Sequence, residues 1–561
     1  MSNNIPWQGV YDELGIEAPP LDDRTLGYWV EEHGKSLADN TALQYVDREI
    51  SYRELDEMSN QLANALTSLG VSKGDVVGLH MPNIPQYPIA LVAISKLGCV
   101  GSGVSPLLMP GEIAHQIEDA GITTLISFDV LANSALTQLP TIPACLKHVI
   151  VAGAADYLAP TEVGIPDLAG VNCVSYLSVV DAASTEFEAR PADWSDTWMI
   201  QYTGGTTGAP KGAEISVRNI MYNIRQTSAY LPWEIGTEVL ATAFPMFHIA
   251  GLGITVSAIR HGARVLLIPD PRDIEFFCKQ MTRFPPTRLA AVPTLYQMLL
   301  DHPLFADIDF SNLKVAITGA APLTTTDRER IEAVIGANTL SDLFGMTETG
   351  PVHVGSPHNR SKAGSIGIPV PGADTRIVDL ETGTKEMPFG EAGEIVTSGS
   401  HVMKGYRNLP DETATALREW RGKTWMYTGD VGYMDNEGYI FLCDRAKDML
   451  IVGGYKVFSV EVEDKLKSLD FIAESALIGT PDERRPGNDI VNLYVELNAE
   501  AKGRDVEVVS KEIREYCRAN MAAYKVPKVI RVVDAIPLTP VGKIDKKLLR
   551  ARAQSKLAER S

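Results

Sequence analysis

The sequence predicts a layered α/β fold that changes character near its C-terminal end, and three observations carry that expectation. Helical and apolar segments alternate through residues 1–195, the alternation continues through 196–440, and beyond roughly 440 the chain condenses into a short mixed unit. Helical stretches alternating with short apolar runs are what a parallel sheet covered by helices looks like in sequence. At 561 residues the chain also exceeds what one hydrophobic core usually organises, so two or more domains are expected.

The elements follow in order. A helix over 53–70 precedes the apolar strand Val76-Val77-Gly78-Leu79, and IRHGARVLLIPD and NLKVAITGAAPL read as strand ends further on. After 440 come GYIFLCDR, a helix near 459–468, the strand IVNLYVEL, an amphipathic helix over 505–522 and the strand KVIRVV. In that helix Val506, Val509, Ile513, Tyr516, Cys517 and Met521 are predicted to share one face. No internal repeat or low-complexity tract interrupts the pattern.

Composition excludes several classes. The apolar run PIALVAISKLGCVGSGV contains a lysine and glycines and falls short of the ~18 uncharged apolar residues of a membrane span. The segment MSNNIPWQGVYDELG has no basic, apolar leader, and the six cysteines show neither CxxC nor zinc spacing, so a reduced, cytoplasmic setting is expected. The net charge of −20, from 51 basic and 71 acidic side chains, argues against nucleic acid or an anionic membrane as partner.

The densest chemistry lies at 202–212, YTGGTTGAPKG, where glycines, threonines and one lysine follow the apolar Trp198-Met199-Ile200. Glycine lets successive N–H groups turn towards a phosphate, Thr203, Thr206 and Thr207 add hydroxyl donors, and Lys211 adds charge. A Walker loop would need GxxxxGK followed by Ser or Thr, but here the lysine precedes Gly212-Ala213 and the next helix starts only at Ser216. A dinucleotide GxGxxG turn is absent as well.

With PMFHIAG (245–251), LFGMTETG (343–350), YTGD (427–430), DRAKDMLIVGGYKV (444–457) and PLTPVGKIDK (537–546) in the same order, the chain resembles the AMP-forming acyl- and aryl-CoA synthetases, the group that includes firefly luciferase and peptide synthetase adenylation domains. SYRELDEMSNQLANAL, near the start, extends the resemblance over nearly the whole chain. It implies a large, multi-subdomain N-terminal α/β domain over 1–443 that binds AMP and the acyl group. It also implies a small, mobile α+β C-terminal domain over 444–561 that pivots at Asp444 and carries a catalytic lysine.

That family makes a carboxylate reactive by placing AMP on it, and the resemblance distributes the work residue by residue. Thr203, Gly204, Gly205, Thr206, Thr207, Gly208 and Lys211 would cover the β- and γ-phosphates of ATP; Thr347 would contact the α-phosphate and Glu348 would bind Mg2+. Gly319, Ala320, Ala321, Asp342 and Phe344 would recognise adenine, and Gly345 and Met346 would also bind the nucleotide; the family most often has Tyr where Phe344 stands, so stacking is retained without a phenol. Asp430 would hold the ribose diol, joined by Arg445. Lys543 would stabilise charge during adenylation and then withdraw as the hinge brings Gly453, Gly454 and Lys456 to CoA. ATP, CoA and the acid are all anions, so Lys211, Arg445, Lys447, Lys456, Lys543 and the bound Mg2+ would have to overcome the global field.

For the acyl group, His248, Ala250, Gly251 and Gly319 are the candidates, and His248 is expected to border or gate the channel, since an ionised carboxylate needs no general base. The small apolar segment Ile249-Ala250-Gly251-Leu252-Gly253-Ile254 favours a hydrophobic monocarboxylic acid, whether a medium- or long-chain fatty acid or an alicyclic or aromatic one. Two alternatives stand beside CoA ligation: loading of an acyl carrier protein, and a non-catalytic nucleotide sensor, which would be expected to lack Lys543, Glu348 or Asp430.

Overall fold

The computed structural model describes residues 5–558 apart from 191–192, 204–209, 320–322, 324, 454, 483 and 539–543. Two mainly parallel sheets dominate it. In the first, Val76–His80 lies between Val100–Gly103 and Ile122–Phe128, and the sheet continues through His148–Ala152 to Asn172–Ser175 on one side. On the other side Thr197–Thr203, Lys211–Ser216 and Gly405–Tyr406 follow, the last two joined antiparallel. In the second, Thr41–Tyr45, Arg264–Leu267, Val239–Thr242, Arg288–Ala291, Val315–Gly319 and Leu340–Gly345 run parallel as neighbours, with antiparallel strands beyond both ends.

Local sequence explains why these elements start where they do. Ser51 caps the helix Tyr52–Ser68: its hydroxyl accepts from the Glu54 N–H while the Glu54 carboxylate accepts from the Ser51 N–H, a reciprocal cap of about 1 kcal/mol. The apolar run with its lone lysine is split between the helix Gln86–Leu97, every residue of which is buried, and the strand Val100–Gly103. Lys96 survives in the helix because its ammonium donates to Asp56 at 2.5 Å, Asn60 at 2.6 Å and Ser59 at 2.9 Å. Among the described residues no helix is long and apolar enough to cross a membrane, and the six cysteines are all free thiols.

A third, antiparallel sheet of Asp374–Val378, Gly393–Ser398, Lys423–Met434 and Leu417–Trp420 follows, with Ile440–Arg445 also paired to Lys423–Met434. The smaller C-terminal domain has its own core: Ile472–Pro481, Asp489–Leu497 and Val529–Val533 form a sheet against the helices Ser459–Leu466 and Val506–Asn520. Val509, Ile513 and Cys517 of the second helix are fully buried, and Tyr516 and Met521 pack beside them. Val506 departs from the predicted face. It is the first helical residue, where Asp505 caps the chain, and it stays 51% exposed because the core contacts begin one turn later.

Candidate active site

The glycine- and threonine-rich run begins and ends on two paired strands. These strands, Thr197–Thr203 and Lys211–Ser216, pair antiparallel, which sets Thr203 directly opposite Lys211. Gly204, Gly205, Thr206, Thr207 and Gly208 lie outside the described residues. Ser216 ends the second strand and caps the helix Val217–Tyr230 by accepting from the Asn219 N–H. The Lys211 ammonium bonds the Glu412 carboxylate and sits 5.2 Å from the centre of the Tyr406 ring.

Strand Leu340–Gly345 delivers the next group and breaks at the single turn Thr347–Thr349. Glu348 is 5% exposed, and its Oε1 accepts from the Tyr406 hydroxyl at 2.6 Å. Burial raises the Glu348 carboxyl above its ordinary range, against the pull of the Tyr406 hydrogen bond and the nearby Arg445; Asp430 pushes in the same direction as burial. Thr347 is buried beside it. Immediately before Gly345, Phe344 packs edge-on against His353 with ring centres 5.2 Å apart. Asp342 is ion-paired with Arg328, which also donates to the Leu340 carbonyl at 2.7 Å. Burial nonetheless lifts the Asp342 carboxyl to about 6, with Arg328 opposing. Gly319 is the register partner of Leu343, and Ala320 and Ala321 lie outside the described residues.

Asp430 and Arg445 face each other across two antiparallel strands, and the Arg445 Nε lies 2.9 Å from Asp430 Oδ1. The neighbouring Asp444 is 6% exposed. One of its oxygens accepts from the Arg445 N–H at 2.7 Å and the other from the N–H of Ser459, the first residue of a C-terminal-domain helix. Lys546 donates to the Ser459 hydroxyl at 2.5 Å and pairs with the buried Glu463 at 2.8 Å. Burial raises the carboxyls of both Asp444 and Glu463, with Lys546 pulling each down. Gly453 and the exposed Lys456 sit in the small domain's hairpin of Leu450–Val452 and Tyr455–Val457. The Gly453 N–H donates to Asn488 at 2.6 Å. Gly454 and Lys543 lie outside the described residues.

His248 caps the helix Ile249–Arg260, its ring nitrogen accepting from the Ala250 N–H at 3.3 Å. The structure supplies a packing reason for two of the small residues expected to line an acyl channel. A Cβ on Gly251 would lie 2.1 Å from the Pro245 carbonyl oxygen, and one on Gly319 would lie 2.5 Å from that of Leu343. The same helix packs close to the TETG turn, because a Cβ on Gly253 would touch the ring of Pro351, one residue past that turn, at 3.0 Å.

The fold thus brings Thr203, Lys211, Glu348, Asp430 and Arg445 into one neighbourhood, with Asp342, Phe344 and Gly319 on adjoining strands. Gly453 and Lys456 belong to the small domain. Sequence reasoning missed Tyr406, Glu412 and Arg328, which hold Glu348, Lys211 and Asp342 respectively. Tyr406 follows a glycine in an edge strand, Glu412 sits in the first turn of a short helix and Arg328 on a helix rich in charged residues, so no residue pattern marks them.

A strand and turn carrying a buried carboxylate, next to a strand pair bearing Thr203 and Lys211 and an Asp–Arg pair, is an arrangement suited to a phosphorylated nucleotide. Comparison with known proteins agrees with it. The family described as AMP-binding enzyme matches residues 30–407, and the AMP-binding enzyme C-terminal domain matches 461–543. A long-chain-fatty-acid–CoA ligase of Yersinia pestis is 33% identical over 541 residues, covering 92% of this chain and 93% of its own. A feruloyl-CoA synthase of an Amycolatopsis species is 30% identical over 544 residues, covering 95% and 100%. The crystal structure of an anthranilate CoA ligase in complex with anthranoyl-AMP superposes with a TM-score of 0.84 at 26% identity, covering 96% of this chain and 99% of that one.

Proposed function

The chain belongs to the AMP-binding enzyme family, and from that premise we propose that it is an AMP-forming acid–thiol ligase that joins a long-chain fatty acid to CoA. The observation that carries the proposal is the near full-length similarity to long-chain-fatty-acid–CoA ligases, together with the ordered motifs. An aromatic acid is the second reading, favoured by the similarity to a feruloyl-CoA synthase over 95% of the chain.

A carboxylate is a poor electrophile, so the acid is first made into a mixed anhydride. Its oxygen attacks the α-phosphorus of ATP, the bond to the β-phosphate oxygen breaks, and pyrophosphate leaves. The CoA sulfur then attacks the acyl carbon, the acyl–oxygen bond to AMP breaks, and AMP leaves while the thiol proton passes to solvent. Both steps place negative charge near phosphate, and fixed local donors stabilise it better than water does.

In this scheme Lys211 and Thr203 bind the departing pyrophosphate, Thr347 donates to the α-phosphate, and Phe344 and Asp342 face the base. Asp430 holds the ribose with Arg445 beside it. Glu348 is suited to Mg2+. Its buried carboxylate is the hard oxygen donor that such an ion takes, and it would hold the ion together with substrate phosphate and water. When bound, that ion would neutralise phosphate charge. Asp444 serves as the hinge between domains 1–443 and 444–561, Lys543 acts in adenylation, and Gly453, Gly454 and Lys456 act in thioester formation.

The test follows pyrophosphate release and free-thiol loss together, with ATP, Mg2+ and CoA, across straight-chain, alicyclic and aromatic acids. Both signals are expected with long-chain fatty acids. Both signals with aromatic acids alone would replace the acid, pyrophosphate without thiol loss would replace CoA by a carrier-protein thiol, and neither signal would overturn the ligase assignment.

A further inference from the structure

The segment around residues 404–412 runs along the strand Lys211–Ser216 as a strap. The Lys404 N–H donates to the Glu214 carbonyl at 3.0 Å, the Arg407 N–H to that of Gly212 at 2.7 Å, and the Arg407 guanidinium pairs with Glu214 at 3.1 Å. Asn408 anchors the far end, donating to the Asp119 carbonyl at 2.9 Å and carboxylate at 3.1 Å. These bonds fix the start of the helix Pro410–Ala416, whose first turn carries Glu412 onto Lys211. The lysine is thereby held against the Tyr406 ring, whose hydroxyl holds Glu348.

We propose that Glu412 is a positioning residue that stands in for phosphate: it neutralises and holds the Lys211 ammonium while no nucleotide is bound, gives it up to the β,γ-phosphates, and takes it back as pyrophosphate leaves. This rests on the assignment of Lys211 to phosphate binding. Chemically the exchange is one oxyanion for another on the same ammonium, with no covalent change. Its reach is set by exposure: the Glu412 side chain is 48% exposed and that of Lys211 28%, so the pair is screened and replaceable rather than locked. A locked pair would keep phosphate out. A lysine without a carboxylate partner would hold pyrophosphate longer.

The expected consequence is a gain of affinity, which a structural defect does not produce. Glu412→Gln should tighten equilibrium binding of magnesium pyrophosphate by about two- to fivefold, the range an exposed ion pair supports. In a Lys211→Ala background the same substitution should change binding by less than about 1.5-fold, because the competing partner is gone. Unchanged or weakened binding in Glu412→Gln overturns the inference, and so does an equal gain in both backgrounds, which would mark a general field effect of the lost charge. Failure of the parent protein to bind pyrophosphate or ATP at all would overturn the phosphate assignment and this inference with it. Parent binding with an indifferent Glu412→Gln overturns this inference alone.

Discussion

Replacing Tyr406 by Phe removes one hydroxyl and leaves the ring beneath Lys211 in place, so it tests whether that hydroxyl orients Glu348. The donor lies 2.6 Å from a carboxylate that is 5% exposed, which makes the bond charge-assisted and sheltered from water. Hydrogen bonds to charged groups contribute about 1.5–3 kcal/mol net, and removal of a partner that orients a metal-binding carboxylate typically weakens affinity by about 10–100-fold, which is the same range. ATP binding is to be measured at equilibrium twice, with Mg2+ and with a chelator. Tyr406→Phe should weaken binding by about 10–100-fold with Mg2+ and by less than about twofold without it. A loss of equal size in the chelator would show that Tyr406 shapes the pocket rather than Glu348. No loss with Mg2+ would refute the role of Glu348 in holding the ion.

Three further outcomes are expected. Arg288 and Glu238 are both fully buried and ion-paired, so Glu238→Gln strands a buried guanidinium and should lower unfolding stability by about 3–5 kcal/mol by denaturant titration; a loss below about 1 kcal/mol would refute the pairing as drawn. The Asp342 carboxyl is raised from 3.8 to about 6, burial first and Arg328 opposing, so its proton adds stability that is full below about pH 4 and lost as pH rises through about 6. The midpoint of the parent relative to Asp342→Asn should therefore fall between pH 4 and 6.5, and a flat difference would sink the assignment; any constant effect on Arg328 drops out of the slope. Lys543→Ala should abolish acyl-adenylate formation, at a loss of about 3–4 kcal/mol or more, yet retain thioester formation from supplied acyl-AMP, and equal loss of both steps would contradict domain alternation.

The parts of the fold that were legible in the sequence are those set by local pattern. Ser51 with Glu54 fixes a helix start, the run Val76-Val77-Gly78-Leu79 opens a strand that is buried throughout, and Ser216 marks where the strand Lys211–Ser216 gives way to a helix. Motif order supplied the family and the candidate residues. What remained hidden joins positions far apart in the chain: Glu238 meets Arg288 fifty residues on, and Tyr406 reaches Glu348 across 58 residues. Even Lys96, read as a charge that spoils a membrane span, turns out to be a buried cross-brace between helices because Asp56, Ser59 and Asn60 present three acceptors on one face. The Gly251 and Gly319 case runs the other way. Their small size suggested a ligand channel, but backbone carbonyls closing on both Cα atoms already demand it.

Net charge posed the sharpest difficulty for the sequence, since a protein of −20 must gather three anions. Three of the described cations of the candidate site are each paired with a carboxylate. Lys211 rests on Glu412, Arg445 on Asp430 and Arg328 on Asp342, each pair joining a cation to a carboxylate supplied from elsewhere in the chain. Such pairs keep the local charge near neutral before substrate arrives, which avoids the repulsion of stranding like charges together in a partly dry site. Under the exchange proposed for Lys211, the substrate's charge enters by a change of partners, and the energy of binding reflects the difference between two oxyanions on one cation. That difference is small for half-exposed pairs such as Lys211–Glu412 and larger for Asp430, which is 5% exposed. Removing the carboxylate of an exposed pair should thus strengthen phosphate binding, whereas removing Asp430 should weaken nucleotide binding, because that carboxylate is itself proposed to hold the ribose.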